Sequence, residues 1–366
     1  MSGVISFFEG LTDPRVDRTK YHSLKDILGL TICAVLSGCN DWEEIELYGI
    51  SKELWLKSFL VLANGIPSHD TINRLFSALD PQELQSSFIS WVQSIAGISN
   101  GKVVSIDGKR LCNAGEDGKK AIIHMVSAWS NANNMVMGQV KTEEKSNEIT
   151  AIPALLNLLV LQGSIVTIDA MGCQKSIAGE IVRKEADYVL AVKENQAHLL
   201  DDIKDAFAQT PDATHDTTIE TGHGRVEKRK CSVITDMDWI SQANDWEKLR
   251  SIVCVETRRT DKLSGETQSE KRFYISSLLC TPKEFNEIIR GHWGIENKLH
   301  WCLDVAFKED YSTKQAGYAA ENFSIITKIA LNLLRNENSK KRSIKNKRLL
   351  CGWDEKFLAK LLFKEI

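Results

Sequence analysis

Apolar positions recur near a 3.6-residue period through residues 1 to about 100. They fall in four stretches, SLKDILGLTICAVLSG, SKELWLKSFLVLA, SHDTINRLFSAL and PQELQSSFISWVQSIAG, with Gly or Pro at the joins. This predicts a helical amino-terminal domain over 1–100. From 101 to 196 the pattern shortens to KVVSID, AIIHMVSAWS and NNMVMGQVK, three successive strands. A helix (EITAIPALLNLLVLQG), a strand (SIVTID), a second helix (CQKSIAGEIVRKE) and a fifth strand (DYVLAVKEN) follow. Three strands able to pair antiparallel, then α-β-α-β, imply one mixed sheet with helices packed on it. Residues 197–280 alternate polar and apolar positions in HGRVEKRKCSVIT, KLRSIVCVETRRT and SEKRFYISSL, which predicts a β-rich insertion. Helical spacing returns in TPKEFNEIIRGHWGIENKLHWCLDVAF and AAENFSIITKIALNLLRNE, a helical stretch over 281–335, before a basic tail at 336–366. The fold class is therefore α/β, with a helical domain ahead of the sheet.

Composition narrows the class. The 366 residues hold 43% hydrophobic and 26% charged side chains, as soluble globular proteins do. Nine cysteines, an odd number without a CxxC pair, imply reduced thiols rather than a disulfide framework or zinc ribbon. The start, MSGVISFFEGLTDPR, lacks the basic and apolar regions of a signal peptide, and no apolar run is long enough to span a bilayer. A cytoplasmic protein without membrane association is expected. A net charge of −3 gives no overall attraction to phosphate. Its distribution does, in clusters at Arg225-Lys228-Arg229-Lys230, at Arg258-Arg259-Lys262, and from Arg335 to Arg348 through Lys340, Lys341, Arg342, Lys345 and Lys347.

Three acids carry the chemistry. Asp107 ends the run Val103-Val104-Ser105-Ile106, Asp169 ends Ile165-Val166-Thr167-Ile168, and Glu296 lies in the helical stretch around Arg290-Gly291-His292-Trp293-Gly294-Ile295. A carboxylate at the tip of a buried strand is costly unless a cation meets it. Two such tips and a helical Glu make the hard-oxygen set that divalent cations take. Converging without a cation they would repel, and one would protonate. Two Mg²⁺ ions, with Mn²⁺ as substitute, would neutralise them and clamp the attacking and leaving oxygens of an in-line displacement. The outline is a phosphoryl-transfer site acting on nucleic acid.

Plainer readings exist for each residue. Asp107-Gly108 also suits a turn, Asp169 an N-cap for the helix near Cys173, and Glu296 a solvated helix face. His292, Glu296 and His300 fall at i, i+4 and i+8, where a zinc ligand row could form. Asp304, Glu309 and Asp310 rival Glu296 as third acid. In the amino-terminal domain, Ser51–Ala63 and Ser68–Leu79 around Asn64-Gly65-Ile66-Pro67 have helix-turn-helix spacing, with Ser68 as cap and His69, Asn73 and Arg74 outward.

Ser105-Ile106-Asp107-Gly108-Lys109, Thr167-Ile168-Asp169-Ala170 and Arg290 through Asn297 occur in the order found in DDE transposases with an RNase H-like core. The chain resembles those in which a β-rich insertion precedes the glutamate, in particular the bacterial H-repeat-associated transposases, over nearly its whole length. The resemblance implies an RNase H-like mixed sheet and Asp107, Asp169 and Glu296 as catalytic, metal-holding residues. It implies Mg²⁺-dependent cleavage and strand transfer on double-stranded DNA, at the terminal inverted repeats of its own element and at a target. It implies a homodimer when two ends are synapsed, and a nucleoid-associated location. A metal-dependent nuclease on the same core, or an inactive DNA-binding remnant, are the alternatives. The Tyr-x2-Arg-x3-Glu-x6-Lys signature of many relatives is replaced here by Ile289, His292 and Leu303 at its Tyr, Arg and Lys positions. Lys109, Arg290, His292 and Lys298 remain as partners for phosphate at the site. Arg225, Lys228, Lys340, Lys341 and Arg342 would line the DNA path.

Overall fold

The computed structural model describes residues 3–96, 102–111, 123–142, 148–222 and 224–363. Four helices open the chain: α1 (Leu24–Leu36), α2 (Trp42–Leu56), α3 (His69–Ala78) and α4 (Pro81–Ile95). Ser23, Asp41, Ser68 and Asp80 cap them, each side chain accepting a backbone N–H of the first turn. Sequence periodicity starts the second helix at Ser51, whereas it begins at Trp42. The exposed Leu47 and Ile50 blur the apolar stripe that would have marked the part before Ser51.

The sheet follows as β1 (Val103–Leu111), β2 (Ile123–Ser130), β3 (Met135–Lys141), α5 (Glu148–Leu158), β4 (Ile165–Ile168), α6 (Lys175–Arg183) and β5 (Asp187–Val192). β1, β2 and β3 pair antiparallel, while β1 runs parallel to β4 and β4 to β5. This is the expected mixed, RNase H-like sheet. Four further strands, β6 (Thr214–Gly222), β7 (Arg225–Ile234), β8 (Ser251–Asp261) and β9 (Thr267–Ser276), extend it antiparallel from β5. The order is β3-β2-β1-β4-β5-β9-β8-β7-β6. The insertion is thus part of the same sheet.

Two elements of the 197–280 stretch depart from the sequence expectation. It opens with a helix, α7 (Ala197–Gln209), which buries Leu199, Leu200, Ile203 and Ala206. β6 buries nothing along its length, so no alternation announces it; pairing with β7 and polar contacts from Asn286 and Arg290 of the helix that follows the sheet hold it.

The last part contains α8 (Pro282–Gly294), a π-helical turn at Ile295–His300, α9 (Trp301–Phe307), α10 (Ala319–Asn336), α11 (Ile344–Trp353) and α12 (Glu355–Phe363). Residues 336–363 are therefore no loose basic tail. Arg348 is buried and donates to the carbonyls of Val35, Cys39 and Ala306, its guanidinium 4.3 Å from the Phe307 ring centroid. Lys347 is buried too, donating to the Leu334 and Glu337 carbonyls. Both charges satisfy carbonyl groups of other segments and are lost to DNA. Lys340, Lys341 and Arg342 stay exposed between α10 and α11.

One core runs from Ile32, Leu75 and Phe88 through Ile106 and Ile168 to Ile329 and Leu358. A smaller one on the other side joins Val189, Val253, Val255 and Tyr274 to Phe285, Ile288 and Ile289 of α8. The second core fixes α8, and with it the π turn, against the sheet beside β1 and β4. The described cysteines are all free. Among the described residues no helix is long and apolar enough to cross a membrane.

Candidate active site

Ile106 of β1 lies opposite Ile168 of β4 in the last parallel pair of that ladder, so Asp107 and Asp169 leave it side by side. Asp107 is not a strand end, however. β1 continues to Leu111 through its pairing with β2, where Asp107 faces Ser127. Its Oδ1 accepts the Gly108 N–H at 2.9 Å. Asp169 caps a single 3-10 turn, accepting the Met171 N–H at 3.1 Å, and α6 starts only at Lys175.

Glu296 is exposed on the π turn. Such turns widen a helix by one residue and concentrate at functional sites. Gly294 lets this segment approach the β2–β3 turn, because a Cβ there would meet the Asn131 side-chain oxygen at 2.6 Å. Asp107, Asp169 and Glu296 line one groove of about 440 Å³ together with Thr167, His292 and Trp293.

The electrostatics register the convergence. Burial first, then the charges of Asp169, Glu148 and Glu296, push the Asp107 carboxyl up to about 7, against a single lowering hydrogen bond from Gly108. Among the described residues no lysine or arginine makes an ion pair with Asp107, Asp169, Glu296 or Glu148. His300 Nδ1 sits 3.6 Å from Asp107, but burial holds this imidazole down to about 3, so it brings no charge. Hard oxygen donors that repel one another and lack a protein cation fit a divalent metal ion. Asp107, Asp169 and Glu296 line the groove, and among the described residues no three His, Cys, Asp or Glu side chains stand close enough to form a metal-ligand group.

The zinc row does not form. The π turn breaks the i, i+4, i+8 phase: His292 Nδ1 lies 3.0 Å from the Thr167 hydroxyl, His300 Nδ1 lies by Asp107, and the three close into no metal-ligand group. The rival third acids are engaged elsewhere. Lys109 bridges Asp304, Glu309 and Asp310. With its side chain 10% exposed, Lys109 is not presented to a phosphate, which corrects the sequence expectation.

The other expected phosphate partners are scattered. Arg290 pairs with Glu220 of β6, His292 is held at Thr167, and Lys298 donates to Asn134 at 2.8 Å. Arg225 and Lys228 are exposed on β7, whereas Arg229 and Arg259 pair with Glu227 and Arg258 with Glu256. Ile289 and Leu303, at two positions of the absent signature, are buried apolar residues.

Sequence reasoning missed two features. Lys193, just after β5, and Lys271 and Arg272 of β9 line the same groove as the acids. Arg272 lies 4.6 Å from the Trp293 ring centroid and pairs with Glu270. Strand order alone brings these together, because β9 pairs with β5 from eighty residues away in sequence, with Val192 opposite Phe273. The second is Glu148, which opens α5 and approaches Gly108. An acid at a helix start is ordinary, so no sequence signal separated it from a helix-dipole residue.

Comparison with known proteins shows the family. The family model described as Transposase DDE domain matches residues 98–333, and that described as DDE_Tnp_1-associated matches residues 5–92. "Putative transposase YncI" of Escherichia coli O157:H7 is 42% identical over 356 residues, covering 95% of this chain and 91% of the relative. "H repeat-associated putative transposase YhhI" of Escherichia coli K12 is 40% identical over 350 residues, covering 93% and 92%. A short relative from the same strain, "Inactive transposase YbfQ", is 54% identical over 56 residues, 15% of this chain and 67% of its own length. These matches place the chain in the DDE transposase family, which implies a DNA substrate and a divalent cation.

Proposed function

We propose that this protein cleaves DNA at the ends of its own insertion element and joins those ends to a target, with Asp107, Asp169 and Glu296 as the catalytic carboxylates. The observation that carries this reading is their shared groove, where Asp107 feels Asp169 and Glu296 as repelling charges. Magnesium is the expected cation, with manganese as substitute, since both are hard ions suited to carboxylate oxygen. When bound, the ions neutralise the carboxylates and stabilise the attacking and leaving oxygens of an in-line displacement.

The chain's own residues do the rest. Asp107 and Asp169, adjacent across the β1–β4 ladder, fix one side of the scissile phosphate, and Glu296 approaches from the π turn. Thr167 and His292 form the groove floor between them. Lys193 and Lys271, which make no salt bridge among the described residues, are placed to meet neighbouring phosphates of the strand. In the first step a water oxygen bonds to phosphorus as the bridging 3′ oxygen departs, leaving a 3′-OH and a 5′-phosphate. In the second that 3′-OH attacks a target phosphodiester, and the target's own 3′ oxygen leaves. The first step hydrolyses one phosphodiester and the second exchanges one for another, with water and then the 3′-OH as nucleophile, so no protein nucleophile is required.

Contacts away from the groove are assigned to the exposed Arg225 and Lys228 of β7 and to Lys340, Lys341 and Arg342 between α10 and α11. Two chains are expected to synapse two ends as a homodimer. Purified protein incubated with Mg²⁺, the DNA flanking its own gene and a target plasmid tests the reading. Nicks at the element ends followed by joined products support it. Cutting without joining indicates a nuclease, and neither activity an inactive remnant.

A further inference from the structure

We propose that the outward face of α2 is a self-association surface, on which a second copy of this chain docks with α2 antiparallel to α2. The inference rests on the reading above, which expects two chains to synapse two ends, and deepens it by naming the surface that joins them. Ile45, Gly49 and Leu56 of α2 are buried, and a Cβ on Gly49 would meet Ile66 and Leu30. Leu47, Ile50 and Leu54 fall opposite them and are 67%, 59% and 90% exposed. Scattered exposed apolar residues are ordinary, but a row of three on one side of a helix marks an interaction surface. Their i, i+3, i+7 spacing is the one by which helices pair along a seam. The backbone leaves helical angles at Lys52 (φ −115°), yet Ile45 before that bend and Leu56 after it enter the same core, so the row keeps one outward side.

The charges at the two ends of the row select the occupant. Glu43 in the first turn and Lys57 just past the last are both exposed, and they continue the seam spacing on either side of Leu47 and Leu54. A parallel pair would set Glu43 against the second copy's Glu43. An antiparallel pair about a two-fold axis at Ile50 sets each Glu43 beside the second copy's Lys57 and lays the apolar rows on one another. It also opposes the two helix dipoles. Within the chain Lys57 Nζ meets Glu53 Oε1 at 2.6 Å, an exposed i, i+4 pair that holds the ammonium weakly and leaves it able to turn to a second acid. DNA is a poor occupant, because the exposed Glu43 and Glu44 repel phosphate, and an anionic lipid surface fails for the same reason. A single helix on each side is a small interface beside the roughly 1,200–2,000 Å² of standing complexes, which fits a dimer of micromolar affinity that two bound DNA ends then reinforce.

The test is sedimentation velocity on the full chain through the micromolar range, without DNA or metal. Wild type should pass from monomer to dimer. Leu47→Ser, Ile50→Ser and Leu54→Ser together should weaken dimerisation about tenfold or more, with circular dichroism as in wild type. Lys57→Glu should weaken it several-fold by setting acid against acid, and Glu43→Lys added to Lys57→Glu should restore it. Wild type that stays monomeric throughout overturns the proposal and leaves the row to another kind of partner. A folded triple-serine variant that dimerises like wild type overturns it as well. Should the triple variant fail to fold, the charge reversals decide. Loss in Lys57→Glu with recovery in the double variant supports the antiparallel pair, and unchanged association or no recovery overturns it. No cleavage enters this measurement, so its failure leaves the DNA-joining reading standing, and inactivity on DNA leaves the interface standing.

Discussion

Lys109 Nζ lies 2.9 Å from Asp310 Oδ1, and the same ammonium also contacts Asp304 and Glu309, so a single strand residue ties down the whole segment beyond the π turn. Asp107 and Lys109 are alternate residues of β1, so one strand carries both an acid of the proposed site and this anchor. Glu309 is buried and also accepts the Ser324 hydroxyl at 3.1 Å, which carries the tether on to α10. Removing the cation leaves buried carboxylates unpaired. Lys109→Met is expected to lower unfolding stability by about 3–5 kcal/mol in denaturant titration, and Lys109→Arg by much less, because a guanidinium can bridge the same acids. Equal stability of Lys109→Met and wild type would show that the cluster contributes nothing net.

The raised Asp107 carboxyl gives the metal-free protein a pH signature. Its folded value, about 7, lies above its ordinary value near 3.8. The folded state therefore holds the proton more tightly, and stability is full below about pH 4 and lost as pH rises towards 7. The loss has an upper bound of about 4 kcal/mol at 1.36 kcal/mol per pH unit. Thermal melts in EDTA should show this fall, Mn²⁺ should reverse it at neutral pH, and Asp107→Asn should abolish it. A flat profile for wild type between pH 4 and 7 would mean that the carboxylates do not crowd one another.

The groove wall formed by β9 and the end of β5 yields a prediction about salt. If Lys193 and Lys271 each meet a phosphate, changing both to Gln should reduce the slope of log K against log salt by up to about two units. Replacing Lys340, Lys341 and Arg342 should weaken binding for all sequences alike, by up to about one unit of slope for every phosphate these side chains neutralise. Fluorescence anisotropy with duplexes at several salt concentrations reads both. An unchanged slope in either set removes that set from the DNA path.

Much of this was legible in the chain itself. The runs before Asp107 and Asp169 are short, apolar and matched, because parallel strands buried on both faces need such residues, and they put the two acids on neighbouring strands. What stayed hidden depended on tertiary placement. β6 buries no side chain, its apolar Ile219 included, and is held by pairing with β7 and by Asn286 and Arg290 of α8. Lys109 and Arg348 look like free surface charges in sequence, yet one is enclosed by three acids and the other by carbonyls of remote segments. The π turn that dissolves the His292–Glu296–His300 row leaves no mark in a 3.6-residue pattern.

The sharpest comparison sets Glu296→Gln against Asp304→Asn on DNA carrying the element ends, in Mg²⁺. Glu296 lines the groove with Asp107 and Asp169, whereas Asp304 is held by Lys109. Glu296→Gln should bind DNA like wild type and lose both nicking and joining, while Asp304→Asn should retain measurable nicking. The reverse outcome, with nicking kept in Glu296→Gln and lost in folded Asp304→Asn, would contradict the assignment of Glu296 as the third acid.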